Sequence, residues 1–182
     1  MSELTYHTLD PLFDKDSKIL ILGSFPSVKS REVCFYYGNK YNRFWKMLEG
    51  VYEEKIEDNI EAKKEFLYRH GIALFDVIKS CSIDASKDTS IKDVTPNDIG
   101  YLVDHSKIKK IILNGNKANE LFRKYFDFKD LEVINLPSTS PANARTSLDE
   151  LIKVYREALR WTFVHLFFMY FNRTKYMKCK II

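Results

Sequence analysis

The sequence predicts an α/β fold, a three-layer αβα sandwich around a central, mostly parallel four-stranded sheet. Short apolar runs typical of buried parallel strands recur along the chain. Segments with helical spacing of apolar residues lie between these runs, which gives the alternation of strands and helices that defines this class. Loops rich in small, hydroxyl, proline and asparagine residues follow two of the runs. Because ligands of parallel sheets bind beyond the carboxyl ends of the strands, a site is expected at these loops.

Four apolar runs are the predicted strands. The first, KILILG, ends in a glycine, and the third, KKIIL, is stopped by Asn114-Gly115. The polar stretch Ser80–Thr95 lies between the second and third runs and is predicted to be irregular. The predicted strands are Lys18–Gly23, Ile72–Val77, Lys109–Leu113 and Leu131–Leu136.

Five segments carry helical spacing or helix-end signals. The segment that opens with NRFW repeats apolar residues at helical spacing, and Asn42 lies near its N-terminal cap. Gly71 suits the end of a charged helix, and Pro96 suits the first turn of the next. The predicted helices are Arg43–Val51, Glu54–His70, Pro96 to about Ser106, Ala118–Tyr125 and Leu148–Trp161.

The length and composition favour one domain. The 182 residues are 45% hydrophobic and 30% charged, which suits a single sizeable core. We assign this domain to residues 1–161 and treat residues 162–182 as an apolar, then basic, extension. Its apolar part, Phe163–Phe171, is about half of the roughly 20 residues that a membrane span needs. We expect it to pack on the core or in a dimer contact, with a membrane-surface anchor as the lesser alternative.

Neither a metal nor a cofactor is predicted. Cys34, Cys81 and Cys179 are far apart, and the four histidines show no ligand spacing. The GxxxxGK[ST], GxGxxG and GxSxG motifs do not occur, which argues against P-loop enzymes, dinucleotide-binding domains and elbow-type serine hydrolases. The odd number of cysteines and the lack of a signal peptide favour a cytoplasmic protein.

The loops after the strands carry amides, hydroxyls and aromatic rings but few charges. Amides can read the edge of a flat heterocycle, a ring can stack on its face, and hydroxyls suit phosphate. A nucleotide extruded from DNA presents all of these features together. The formal net charge of +4 permits such a partner but is too small to identify one.

The motif GSFPS, followed by YYGNKYNRFW and later by ILNG and LPSTSPANAR, resembles the uracil-DNA glycosylase superfamily. Within it, the chain is most similar to the hypoxanthine-DNA (deoxyinosine) glycosylase group. The likeness runs from about Lys18 to Trp161, with the motifs in the expected order. It implies a monofunctional DNA glycosylase of base-excision repair, which needs no metal or cofactor. The implied partner is DNA containing deaminated bases, hypoxanthine first, with uracil and xanthine as further candidates.

The resemblance also implies catalytic residues. In mismatch-specific uracil glycosylases of the superfamily the first motif reads G-I-N-P-G, and its asparagine positions the attacking water. Phe25 stands at that position here, a departure that the hypoxanthine group shares, and an asparagine of the following segment takes the principal part in that group. Asn42 is the preferred candidate and Asn39 the second. The structural alternative for Asn42 is a helix cap and nothing more.

The other site residues that the resemblance implies form two groups. For each group an alternative remains, namely packed aromatic rings, strand-end turns or a capped loop. Residues of the second group are expected to contact phosphates and to enter the minor groove. The base-binding group is Gly23, Ser24, Phe25, Tyr37, Asp76 and Asn114, and the DNA-binding group is Ser138, Thr139, Ser140, Pro141, Ala142 and Asn143.

Two rival functions remain open at this point. One is a small α/β hydrolase that acts on free nucleosides or nucleotides. The other is a catalytically weak or silent module that binds damaged DNA, because Phe25 replaces the usual catalytic asparagine. Release of a base from a duplex that contains deoxyinosine would separate both from a DNA glycosylase.

Overall fold

A parallel four-stranded sheet forms the centre of the computed structural model, which describes residues 3–83 and 92–159. The strands in chain order are β1 (Glu3–Tyr6), β2 (Ile19–Gly23), β3 (Ile72–Asp76), β4 (Ile78–Ile83), β5 (Lys92–Pro96), β6 (Lys110–Asn114) and β7 (Glu132–Leu136). The central sheet has the order β3-β2-β6-β7, and each neighbouring pair is parallel. This confirms the four predicted strands and their arrangement.

Burial explains why two of these strands read as continuous apolar runs. Every residue of β2 and of β3 is buried, so neither strand alternates polar and apolar side chains. The outer edge of β3 is covered by a bridge between Leu12 and Leu74. Strand β7 forms the other edge and is only half-buried. The carboxyl ends of β2, β3 and β6 therefore meet at one end of a firmly packed sheet.

Helices flank the central sheet, and the five predicted ones are all present. They are, with one additional short helix, α1 (Val28–Glu32), α2 (Phe44–Tyr52), α3 (Ile60–Arg69), α4 (Ile99–Asp104), α5 (Asn116–Tyr125) and α6 (Leu148–Leu159). The predicted start of α3 at Glu54 was wrong. Asn59 caps the helix instead, since its Oδ1 accepts the backbone N–H of Ala62 at 2.7 Å.

A second sheet corrects the prediction for the described parts of Ser80–Thr95, whereas residues 84–91 of this range lie outside the described residues. Instead of an irregular segment, β4 and β5 pair antiparallel, and β1 joins them in the order β1-β4-β5. The pairing of β4 with β5 shifts register at two places, and β5 is mostly exposed. Irregular register and polar side chains remove the alternation by which a strand is recognised in a sequence.

Residues 160–182 lie outside the described part of the chain, as does the predicted helix end at Trp161. The predicted packing of this extension therefore stays a prediction. Within residues 3–83 and 92–159, no helix has both the length and the apolar character that crossing a membrane requires.

Helices α2 and α6 pack against each other through Gly50. A Cβ atom at Gly50 would lie 2.3 Å from Cδ1 and 2.7 Å from Cγ1 of Ile152. Arg156 of α6 also donates to the Gly50 carbonyl oxygen. Gly100 in α4 differs, because a Cβ there would meet Asp98 Oδ1 at 3.4 Å and no other described atom closely.

We expect Gly50→Ala and Gly100→Ala to change stability in opposite directions. Alanine is favoured over glycine by about 1 kcal/mol inside a helix, so Gly100→Ala should raise the free energy of unfolding by up to that amount. Gly50→Ala should lower it by about 1 kcal/mol, because overpacking outweighs the helix preference. Denaturant unfolding measures both. In an Ile152→Ala background, which removes both crowding carbon atoms, Gly50→Ala should no longer lower the free energy of unfolding. A more stable Gly50→Ala protein would contradict the close packing.

Candidate active site

A cavity of about 130 Å³ opens at the carboxyl ends of β2, β3 and β6. An apolar cavity of roughly 150 Å³ holds a benzene molecule, so this space has the scale of a flat ring. Its walls combine hydroxyl, amide and aromatic side chains with one carboxylate. The lining residues are Gly23, Ser24, Phe25, Pro26, Ser27, Ser30, Tyr36, Tyr37, Asn42, Asp76, Asn114, Ser138, Thr139 and Ser140.

Most of the predicted site residues meet at this cavity. All six base-binding candidates line it, and so do Asn42 and the serine-threonine part of the later loop. Asn39 lines a neighbouring groove of about 350 Å³ instead. Tyr37 and Asn42 border both spaces. Pro141, Ala142 and Asn143 do not line the cavity. Ala142 and Asn143 border a third depression along the same loop.

Asn42 is fixed at one end of its amide. Its Oδ1 accepts the backbone N–H of Phe44 at 3.0 Å, which is an Asx turn at the start of α2. The residue before the helix, Arg43, makes no side-chain cap of its own. No described residue bonds the Asn42 Nδ2 group, and Oδ1 keeps a second lone pair. The helix-end contact therefore orients the amide and leaves groups free for a ligand.

Asn39 is placed differently from Asn42. Its Oδ1 accepts the backbone N–H of Tyr41 at 3.0 Å, and its backbone carbonyl accepts the Asn42 N–H at 2.8 Å. These contacts shape the turn that leads into Asn42. Asn39 lies in the neighbouring groove, which shares Tyr37 and Asn42 with the cavity.

Asn114 is a buried hub whose hydrogen-bonding groups are all engaged. Its Nδ2 donates to Tyr37 Oη at 3.1 Å and to Thr139 Oγ1 at 3.0 Å. Its Oδ1 accepts the Thr139 N–H at 2.9 Å and the Tyr155 hydroxyl at 3.0 Å. An amide can make four such bonds, so none is left for a base. The predicted base-reading role of Asn114 stays a prediction, and a new arrangement of these bonds would be needed for it.

Tyr37 brings both a ring and a hydroxyl to the cavity. Its ring stacks on Phe44, with ring centroids 3.7 Å apart. Its backbone lies in the left-handed region, with φ at 54°, which residues other than glycine rarely adopt. Burial and then the nearby Asp76 charge raise the pKa of the Tyr37 hydroxyl. It therefore keeps its proton, which it can donate to a ligand while its oxygen accepts from Asn114.

Asp76 follows β3 and approaches β2 closely. A Cβ atom at Gly23 would lie 2.2 Å from Asp76 Oδ1, so only a glycine fits beside this carboxylate. Asn97 holds the backbone there, with its Nδ2 donating to the carbonyl oxygens of Asp76 at 2.9 Å and Ile78 at 3.0 Å. The requirement at Gly23 is one of space, since its backbone is not in the left-handed region.

His7 is a residue of the site that the sequence did not predict. Its Nε2 lies 2.9 Å from Asp76 Oδ2, and the two side chains are only 2% and 7% exposed. Its ring packs edge-on against Phe25 and Phe75, with centroids 6.1 Å and 5.2 Å away. The antiparallel sheet positions His7 at the site, since the His7 backbone N–H donates to the Lys79 carbonyl oxygen just after β1 ends. Without a predicted β1, no signal in the sequence could place it here.

The loop after β7 is anchored by its own polar residues. Thr139 is fully buried and bound to Asn114, so the structure does not place its side chain where a phosphate could reach it. Asn143 Nδ2 donates to Ser138 O at 2.9 Å and Thr146 Oγ1 at 3.1 Å. Pro141 and Ala142 are exposed at the tip. The phosphate contact expected of Thr139 stays a prediction, and its bonds to Asn114 would have to rearrange for it.

Arg43 is the second residue whose role in the site the sequence did not predict. Its guanidinium group donates to the backbone carbonyl oxygens of Ser140 at 2.9 Å and Asn143 at 2.8 Å. It also donates to Thr146 O and, at 3.4 Å, to Thr139 O. Arg43 follows Asn42 directly, so one side chain ties the candidate catalytic segment to the loop. Among the described residues it has no carboxylate partner within salt-bridge distance.

We expect Arg43→Ala to loosen this loop. The variant should lose about 1–3 kcal/mol of stability, because several charge-assisted bonds disappear and buried carbonyl oxygens lose their donor. Hydrogen–deuterium exchange should quicken over residues 138–147 while β2 stays protected. Arg123→Ala is the matched control, since that exposed arginine bonds only Asn119 of its own helix. Unchanged exchange in the Arg43 variant would show that the loop's own hydrogen bonds keep it ordered without Arg43.

Comparison with known proteins agrees with this geometry. Residues 11–160 match the sequence profile of the Uracil DNA glycosylase superfamily. A protein named hypoxanthine DNA glycosylase from Methanosarcina acetivorans is 37% identical over 138 residues, which cover 75% of this chain and 87% of that protein. Its namesake from Methanosarcina barkeri is 34% identical over the same coverage.

The fold has a similar counterpart among solved structures. A solution NMR structure of a candidate uracil DNA glycosylase from Methanosarcina acetivorans superposes with a TM-score of 0.69 at 35% sequence identity. The match covers 82% of this chain and 96% of that one. The sequence profile, the relatives and the fold agree, and the cavity lies where the shared strands end. The chain belongs to the uracil DNA glycosylase superfamily.

Proposed function

We propose that this protein is a monofunctional DNA glycosylase that removes hypoxanthine from deaminated DNA by hydrolysing the N-glycosidic bond. Two relatives named for this activity align with most of the chain. The structural observation that supports the proposal is the hydrogen-bonding capacity left on the two amides of the cavity, Asn42 and Asn114. Asn114 has no hydrogen-bonding group left, whereas Asn42 keeps open groups at the cavity wall. Uracil and xanthine are further substrates to test.

The reaction begins with extrusion of the base. The nucleotide leaves the duplex, and its base enters the cavity between Phe25 and Tyr37, which offer aromatic surface. The Tyr37 hydroxyl can donate to a ring nitrogen or carbonyl oxygen of the base. Such a bond stabilises the negative charge that develops on the base as it leaves.

Asn42 is the proposed catalytic residue. The second lone pair of its Oδ1 can accept a hydrogen from water and so orient the water oxygen towards the sugar C1′ atom. An amide is a weak base, so its contribution is position, which can lower a barrier by up to about 7–11 kcal/mol in well-oriented systems. The cationic sugar is stabilised by nearby DNA phosphates and dipoles. The bond from C1′ to the base breaks, a bond from C1′ to the water oxygen forms, and the base takes up a proton.

The loop after β7 is the proposed DNA contact. Ser138 and Ser140 line the cavity mouth, where their hydroxyls can reach a phosphate, and Pro141 and Ala142 project at the exposed tip. Arg43 beneath the loop adds a positive charge that no described carboxylate neutralises. Binding should therefore weaken as salt increases.

We also propose that the protein works in the cytoplasm. Cys34 is exposed and Cys81 is buried, and both are free thiols. An exposed thiol stays reduced in a reducing compartment such as the cytoplasm, in which disulfides are rare.

We expect Asn42→Ala to abolish most base release and Asn39→Ala to leave it nearly intact. The assay uses a duplex with one deoxyinosine and detects the alkali-labile abasic product under single-turnover conditions. The rate should fall by roughly 100-fold or more for Asn42→Ala, within the range of a lost catalytic group, and by less than about threefold for Asn39→Ala. Thermal unfolding of both variants controls for folding.

The same assay separates the rival functions. Free deoxyinosine, offered alone, should not be cleaved, and its cleavage would favour a nucleoside hydrolase. Binding of the damaged duplex without base release would favour a silent module. An equal loss of rate in the two asparagine variants, or no loss in Asn42→Ala, would refute the assignment of Asn42.

A further inference from the structure

Deamination reverses the hydrogen bonding of one ring nitrogen. N1 of adenine and N3 of cytosine each present a lone pair and accept. In hypoxanthine and uracil the same atoms carry a hydrogen and donate, as part of a lactam. A protein group that only accepts hydrogen bonds therefore attracts the deaminated base and repels its parent. A site that is built around such a bond rejects a ligand that cannot make it far more strongly than a hydrophobic pocket would.

Asp76 is the single carboxylate that lines the cavity in the described part of the chain. Its Oδ2 is 2.9 Å from His7 Nε2. No described residue donates to Oδ1, which lies against Gly23 at the end of β2. An ionised carboxylate is an acceptor only. Its free oxygen is thus a fixed acceptor at the wall where a base would enter.

His7 is arranged to keep Asp76 in that state. The backbone N–H of Leu9, which can only donate, points at His7 Nδ1 at 3.2 Å. This contact assigns the ring proton to Nε2, which donates to Asp76. The aromatic rings of Phe25, Phe75 and Tyr36 surround the imidazole and fix its direction. The donor at Nε2 also offsets part of the cost of burying the polar oxygens of this carboxylate.

The other polar side chains of the cavity are not acceptors only: hydroxyl groups both donate and accept, and the Asn42 amide carries N–H donors beside its Oδ1. Asn114 is saturated, and the Tyr37 hydroxyl, whose oxygen accepts from Asn114, carries a proton that it can donate. We propose that the His7–Asp76 pair recognises the lactam N–H of the deaminated base, with Asp76 as the acceptor and His7 as its positioning residue. This inference rests on the proposed function and deepens it. His7 lies before residue 11, where the match to the family begins, so the family match does not supply it.

The pair accounts for one part of base selection. It discriminates hypoxanthine from adenine and uracil from cytosine, because each pair differs in the polarity of that nitrogen. Guanine and thymine also carry a ring N–H, so their exclusion falls to the shape of the cavity and to the cost of extruding a well-paired base.

Paired base analogues and protein variants test the proposal. The duplexes contain hypoxanthine or 1-methylhypoxanthine, in which a methyl group replaces the N–H. The wild-type protein should release the methylated base about 10- to 100-fold more slowly, the range of a lost charge-assisted hydrogen bond. Asp76→Ala should slow release of hypoxanthine to a similar extent, and it should bring the ratio between the two bases close to one. If Asp76 instead orients water, Asp76→Ala slows both bases by the same factor and the ratio survives, which overturns the proposal.

Two variants of His7 test its positioning role. His7→Gln keeps an N–H donor at the same distance along the side chain and should retain most of the preference for the unmethylated base. His7→Phe keeps the ring packing but has no donor, so it should behave like Asp76→Ala. His105→Phe, at an exposed position after α4, controls for the loss of a histidine. Equal ratios in His7→Gln and His7→Phe would overturn the role of the donor.

Failure of the proposed function would be visible separately. If the wild-type protein releases no base at all, the glycosylase proposal fails. Equilibrium binding of the same two duplexes then tests recognition alone. A preference for hypoxanthine over 1-methylhypoxanthine that Asp76→Ala removes would support the pair, and equal binding would refute it.

Discussion

The buried amide of Asn114 is the constraint on which the site depends. It stands at the end of β6 and bonds three parts of the chain that are distant in sequence: Tyr37, Thr139 and Tyr155 of α6. An unsatisfied polar group at this depth would be costly, so these bonds form together or not at all. The cavity wall, the loop after β7 and the last helix are consequently set by one residue.

A division of labour among polar groups follows from this arrangement. The side chains that shape the site are bonded to protein partners, as in Asn97 and Thr139, and the Asn114 amide is saturated by them. The groups with capacity to spare are those of Asn42, Asp76 and the Tyr37 hydroxyl. Protein-bound groups hold position without competing for ligand, while the open groups can each engage one part of a nucleotide. This pattern is what a preorganised site needs.

The sequence predicted the central sheet and the location of the cavity well, for a simple physical reason. Strands buried on both faces read as apolar runs, and their carboxyl ends must meet at one edge. The same reasoning missed the second sheet. Its pairing of β4 with β5 shifts register and β5 is largely exposed, so no clear alternation of polar and apolar residues marks these strands. His7 was missed with them. Arg43 was missed because its partners are backbone carbonyl oxygens, which no side-chain pattern reveals.

Anchoring through the main chain separates the shape of a loop from its chemistry. Arg43 holds carbonyl oxygens, and every residue type supplies one. Evolution, or an engineer, can therefore exchange Pro141 and Ala142 for bulkier or charged side chains while the segment keeps its course. The exposed side chains of the tip can therefore change while the backbone of the loop keeps its position. Preferences for the surrounding DNA sequence can diversify in this way without altering the catalytic residues.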